Sequence, residues 1–267
     1  MSAKARRRVL RLSLDGDWKG RWVEDEVAVD VPVEVYVGKE LFRTFLASPG
    51  LERELAVGHL LAEGIIDSVD EVERVCSRDH KVYVSLKTDR QVRLEASKVN
   101  HLVMTSCGST SDLINLLDRL RPPKVGAKVS LRPEVVLGMV RELNRRGEVF
   151  RATGGTHSAM LCDVEGEVLA YAEDVGRHNA VDKVIGVLAL SGGDFSRCVL
   201  VSSGRQSSYM VLKAARVGIP VVISQAGPLE SGIRVAEESG VTLICFARGR
   251  RMNIYTHPKR VFRDLGT

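Results

Sequence analysis

The sequence predicts an α/β fold, with a mixed sheet covered by helices over residues 126–267 and a smaller α+β domain over residues 1–125. Three observations lead there. From Cys198 to Phe246, short apolar runs and helical patterns alternate strictly, as expected of largely parallel strands buried on both faces. Before Leu86 the apolar segments instead alternate with period two around a single helical pattern. Between the two regions, Arg121-Pro122-Pro123-Lys124-Val125-Gly126 reads as a linker, because adjacent prolines stop helices and stiffen extended chain.

Taken in order, Lys4, Arg6, Arg7 and Arg8 open the chain as a solvated basic tail, since Arg11, Ser13, Asp15 and Asp17 break any apolar core behind them. Alternation over Val27–Val37 and Leu41–Leu46 predicts antiparallel strands joined at Gly38-Lys39. A helix follows, with Ser48 as cap, Pro49 as its first residue and Gly64 as its stop. Strands are expected at Val72–Val75 and Val82–Leu86, and a helix at Leu113–Leu117. After the linker come a helix over Pro133–Arg146, two strands pairing across Val164-Glu165-Gly166-Glu167, and a helix over 179–190. The alternating series then runs Cys198–Val201, Ser207–Val217, Ile219–Ile223, Glu230–Ser239 and Val241–Phe246.

Composition narrows the function. The 267 residues are 44% apolar and 27% charged, an ordinary balance for a globular protein. Apolar runs such as Ile219–Ile223 are far too short to cross a bilayer, so a cytoplasmic protein with no membrane partner is expected. Five scattered cysteines without a Cys-x-x-Cys pair fit a reducing compartment and predict no structural metal. The net charge of +5 suits an anionic ligand, while 5% aromatic residues argue against a nucleic-acid stacking platform.

The most informative stretch is Glu173-Asp174-Val175-Gly176-Arg177-His178-Asn179-Ala180-Val181-Asp182-Lys183, at a strand end and a helix start. It is either an elaborate cap with ion pairs or a ligand site on the unpaired amides of a helix N-terminus, and the crowding of polar groups favours the site. Ser202–Ser208 and Thr153-Gly154-Gly155-Thr156-His157 are small-residue loops that could hold a phosphate or simply turn. Phe246-Ala247-Arg248-Gly249-Arg250-Arg251 ends the last parallel strand with three arginines. Ligands of open α/β sheets sit beyond the carboxyl ends of strands, so Asp174–His178, Ser202–Gln206, Gln225–Pro228 and Phe246–Arg251 are expected on one rim. Cys76, Cys198 and Cys245 read as small core residues. Cys107 lies in a polar loop before a helix, where a thiol is either a nucleophile or incidental.

Together, Gly64-Ile65-Ile66, Ser106-Cys107-Gly108, Thr153–His157, Glu173–Lys183, Ser203-Gly204-Arg205, the arginine strand end and Asn253-Ile254-Tyr255 resemble the FdhD-type formate dehydrogenase accessory sulfurtransferases, from about residue 30 onward. That resemblance implies a cytoplasmic homodimer that takes persulfide sulfur from a cysteine desulfurase. It implies delivery of the sulfur to a molybdenum (or tungsten) bis-pterin guanine dinucleotide cofactor bound for the formate dehydrogenase catalytic subunit. Cys107 would carry the persulfide and Phe246, Ala247, Arg248, Gly249, Arg250 and Arg251 the nucleotide. The phosphates would be met by backbone N–H groups near Arg177 and Gly204 and by Arg205, Arg248, Arg250 and Arg251, with His178 also on the cofactor site. Asp174, His178 and Lys183 would orient the loop or shuttle a proton. Many members resemble Cys-Gly-x-Cys where this chain has Cys107-Gly108-Ser109-Thr110, so a non-catalytic cofactor-binding chaperone is the alternative. The family's fold is similar to cytidine deaminases, but His178-Asn179-Ala180 and Ser203–Ser207 lack the carboxylate and the thiolate ligands that zinc deamination requires.

Overall fold

The computed structural model describes residues 2–15, 17–91, 93–95 and 122–261. Cys107, Thr110 and the helix expected at Leu113–Leu117 lie outside the described residues.

Near the N-terminus, β1 (Lys4–Asp15) and β2 (Asp17–Ala28) form an antiparallel two-stranded ribbon, correcting the expected basic tail. Arg6, Arg7 and Arg8 of β1 stand opposite Glu26, Asp25 and Glu24 of β2, and Lys4–Glu26 and Arg11–Asp25 ion pairs cross the ribbon, so cross-strand charge complementarity supports what composition alone marked as a free tail. Next come β3 (Val31–Val37) and β4 (Glu40–Ala47), which pair across Gly38 at φ 62°. With β5 (Val72–Arg78) and β6 (Lys81–Leu86) they make a four-stranded sheet in the order β4-β3-β6-β5.

Helix α1 (Glu52–Ala62) starts later than expected, after Leu51 in the left-handed region. Ser48 is not its cap. The serine is spent on distant backbone and side chains: its N–H donates to Asp174, its hydroxyl accepts from the Val175 N–H, and its carbonyl accepts from Lys183. Gly64, at φ 68°, closes the helix as expected.

The second sheet has the order β12-β11-β10-β9-β7-β8, built from β7 (His157–Cys162), β8 (Val168–Asp174), β9 (Val199–Ser202), β10 (Val221–Ser224), β11 (Thr242–Arg248) and β12 (Arg251–Ile254). Strands β9, β10 and β11 are parallel, and β7 and β12 run against them. Alternate strand residues supply two apolar faces, as a doubly covered sheet needs. Met160, Val199, Val201, Val221 and Ile223 meet helix α2 (Pro133–Arg146), whereas Leu161, Leu200, Val222 and Leu243 face the other side. There lie α4 (Arg177–Leu190), α5 (Ser208–Arg216) and α6 (Glu230–Ser239), while the short α3 (Glu148–Thr153) precedes β7. β12 was not foreseen; it turns the arginine strand end into a hairpin.

α1 joins the two sheets by crossing α4 at backbone contact. A Cβ at Gly58 would lie 1.8 Å from the Asp182 carbonyl oxygen, and one at Gly186 1.8 Å from that of Glu54. Glycine at both points lets the helix axes approach closely. No helix among the described residues is long and apolar enough to cross a membrane.

Candidate functional site

Strands β8 and β9 both run antiparallel to β7, so the carboxyl ends of β8, β9, β10 and β11 share one edge of the sheet. His157 pairs with Asp174 there, and Ser202 with Ser224. The predicted rim therefore exists: Asp174–His178, Ser202–Gln206, Gln225–Pro228 and the Phe246–Arg251 hairpin lie along it.

The polar block Glu173–Lys183 divides into two sets. Most of it is structural. The Glu173 carboxylate accepts from the Val149 and Phe150 N–H groups and from the Thr156 hydroxyl, capping α3. Asp174 pairs with Lys183 at 2.7 Å, and both are buried. Asp174 also accepts from Ser48, Gly176 and Asn179, so every lone-pair direction finds a donor. Asp182 takes Lys213 on both oxygens, at 2.7 and 2.9 Å, and His59 at 2.8 Å. Because Arg43 only donates, His59 accepts it at Nε2 and gives its Nδ1 proton to Asp182. The elaborate-cap reading thus accounts for Glu173, Asp174, Asn179, Asp182 and Lys183.

Arg177 and His178 remain, and they stand at an electrostatically odd place. The first turn of α4 has no side-chain cap and no acidic residue. Cations there oppose the positive end of the helix dipole. Arg177 lies against Gly204, where a Cβ would come within 2.9 Å of its own Cβ, and its Nε is buried without a hydrogen-bond partner. His157 approaches Ser203 at 3.3 Å, and the Ser203 hydroxyl oxygen already accepts from the Ser158 N–H. Burial and the adjacent Arg177 push the His157 pKa down. His178 falls to about 4, through burial first and then Lys213. Both imidazoles are neutral near pH 7, so the positive charge at this corner belongs to arginine.

The Ser202–Ser208 loop is less of an amide nest than expected. Its Ser203, Gly204 and Gln206 N–H groups are taken by the Ser158 carbonyl, the Ser202 hydroxyl and the Gly227 carbonyl. What it offers the rim is the Ser203 hydroxyl and the exposed Arg205. Similarly, in Thr153–His157, Gly154 closes α3 at φ 66° and Gly155 packs on Ala28, leaving His157 alone at the rim.

The arginine hairpin supplies the charge. Arg248 pairs with Arg251 across Gly249, at φ 60°, and Arg250. A register break between Cys245 and Arg248 puts Phe246 at φ 52°, a strained region for a bulky residue. Its ring then sits over Gly227, where a Cβ would be 2.8 Å from it. Arg205, Arg248, Arg250 and Arg251 are exposed, and neither they nor Arg177 has an ion-pair partner among the described residues. An uncompensated row of guanidinium groups beside a half-buried aromatic ring suits a phosphorylated, ring-bearing ligand. The signal that the sequence reading lacked was β12, whose return places Arg251 beside Arg248.

Cys162, Cys198 and Cys245 are buried, and burial pushes each thiol up to about 12. None of the three is a thiolate near neutral pH. Cys76 is half-buried rather than core, and Cys107 falls outside the described residues. The 570 Å³ cavity bordered by Gly64, Ile66 and Arg216 lies at the opposite end of α4, beside Ala189.

Comparisons with known proteins bear on family and fold. The model of the FdhD/NarQ family matches residues 28–262. A protein of Thermoplasma acidophilum named sulfur carrier protein FdhD is 34% identical over 250 residues, covering 90% of this chain and 86% of that one. Another of that name from Sulfurisphaera tokodaii is 38% identical, covering 90% and 93%. The crystal structure of a putative formate dehydrogenase accessory protein from Desulfotalea psychrophila superposes with a TM-score of 0.78 at 23% identity. That match covers 98% of this chain and all of that one, and it shows a shared mixed α/β fold.

Proposed function

This chain belongs to the FdhD/NarQ family, and on that premise we propose that it is a cytoplasmic, homodimeric sulfur carrier serving a formate dehydrogenase. Cys107 is the carrier. Its thiolate attacks the outer sulfur of a cysteine desulfurase persulfide, the desulfurase cysteine leaves as thiolate, and Cys107 holds the new persulfide. The cargo is the molybdenum (or tungsten) bis-pterin guanine dinucleotide, bound as substrate before it enters the formate dehydrogenase catalytic subunit. Arg248, Arg250 and Arg251 meet its phosphates, Phe246 offers a face to a ring, and Arg177, His178, Gly204 and Arg205 border the same rim.

The supporting observation is the row of arginines without carboxylate partners at the strand ends. A protein without an anionic ligand gains nothing by gathering them along the strand-end edge of one sheet. The names of the relatives support the sulfur role. Thr110, standing where many members carry a second cysteine, favours one further reading, a chaperone that binds the cofactor and leaves sulfur alone.

Two measurements test this. Incubation with a desulfurase and cysteine should add about 32 daltons, one sulfur atom, to the Cys107 peptide, reversibly by dithiothreitol. Guanosine diphosphate titrated by calorimetry should bind the wild type and bind R248A/R251A about tenfold or more weakly, with thermal stability unchanged. Nucleotide binding without the mass gain would leave the chaperone reading; failure of both would overturn the proposal.

A further inference from the structure

The β1–β2 ribbon precedes almost all of the family-model match, which begins at residue 28. Twelve residues per strand make an arm about 40 Å long. Cross-strand partners share a face, and Leu10 pairs with Trp22, Leu12 with Gly20 and Leu14 with Trp18. Leu10, Leu12, Leu14, Trp18 and Trp22 therefore form one apolar row, and they are 51%, 58%, 60%, 68% and 60% exposed. Both tryptophans of the chain are in it. Nearer the body, the same face carries Arg8 opposite Glu24 and Arg6 opposite Glu26. These rungs balance in charge, so the face does not select an acidic or a basic partner.

We propose that this row is the self-association surface, each arm lying face to face and antiparallel on the arm of a second copy. The proposal deepens the homodimer part of the reading above and is independent of the sulfur chemistry. A two-fold axis through the Leu12–Gly20 rung sets Leu10 and Trp22 of one arm against Leu14 and Trp18 of the other. Such an isologous contact buries identical patches on both copies. Gly20 keeps the middle of the face flat, and the Leu10 and Leu12 side chains lean over it, 3.4 and 3.1 Å from where a Cβ would stand. At these exposures the five side chains present roughly 600 Å² per arm, so a pair buries about 1,200 Å², the lower bound of a stable specific interface. Roughly 600 Å² is the upper end of the largest apolar patch on a typical monomer, and patches of that size are often functional.

The test uses the full chain. Light scattering behind size exclusion should give a dimer for the wild type and for the opposite-face variant S13E/R21E. L12E/W22E should run as a monomer with the wild-type melting temperature, its dissociation constant raised at least about 30-fold. Because Trp18 and Trp22 are the only tryptophans, intrinsic fluorescence reads the arm directly, and dilution through dissociation should shift wild-type emission to the red. A dimeric L12E/W22E, or dissociation without a spectral shift, would overturn the arm assignment while leaving the homodimer. A wild type that stays monomeric at about 100 µM would overturn both.

Discussion

Gly186→Ala sets two physical effects of opposite sign against each other. Gly186 lies inside α4, where replacing glycine by alanine ordinarily stabilises a helix by about 1 kcal/mol through backbone entropy. Here the new Cβ would stand 1.8 Å from the Glu54 carbonyl oxygen and 2.5 Å from its carbon. Ordinary contact begins near 3.4 Å, so α1 would have to withdraw by about 1.6 Å, and the obstacle is helix backbone rather than a side chain that can rotate. Overpacking of a core costs about 1–3 kcal/mol, and at a backbone–backbone crossing the upper end applies. The net expectation is a loss of about 2 kcal/mol, or roughly 4–8 °C in melting temperature for a chain of this size. Gly138→Ala in α2 is the control. Its nearest neighbour is the Arg141 side-chain tip at 3.8 Å, so entropy acts alone and stability should rise by up to about 1 kcal/mol. Urea denaturation of both variants beside the wild type measures the two signs. A Gly186→Ala protein as stable as the wild type would refute the close crossing of α1 and α4, and with it the rigid seat of Arg177.

Acid should destabilise the protein in two stages. The folded pKa of His178 is depressed from 6.5 to about 4, so its contribution is present above pH 6.5 and is lost as pH falls toward 4. Glu63 follows: the charges of Lys213 and Arg216 outweigh its burial and depress its pKa from 4.5 to about 2, so its contribution is lost between those values. Urea midpoints measured from pH 7 to pH 4 should fall for the wild type and flatten for His178→Gln; an unchanged slope in that variant would contradict the burial of the imidazole. Cys162, Cys198 and Cys245, with thiols near 12, should resist iodoacetamide at pH 7.5 in the native state and react once unfolded; peptide mass spectrometry showing rapid native labelling of any of them would refute their burial.

The alternating series from Cys198 to Phe246 was legible in the sequence because each strand there is apolar on both faces and each helix is punctuated by glycine or serine. Strand direction follows from that alternation, and direction alone brings the rim segments to one edge. The motifs quoted from Gly64 to Tyr255 identified the family, since side-chain types at fixed spacing survive without knowledge of packing. Tertiary structure decided what each polar residue does. Ser48 reads locally as a helix cap, yet its partners are Asp174, Val175 and Lys183, more than a hundred positions away. Glu173, Asp174, Asp182 and Lys183 look like a site in one dimension and become fastenings in three, the last three of them buried, because a charge taken from water must find its partner wherever the chain brings one. Arg177 differs from them only in meeting no such partner among the described residues. The basic start misled for a related reason: Arg6, Arg7 and Arg8 stand opposite Glu26, Asp25 and Glu24 of a second strand, and a local reading of charge does not see across a hairpin.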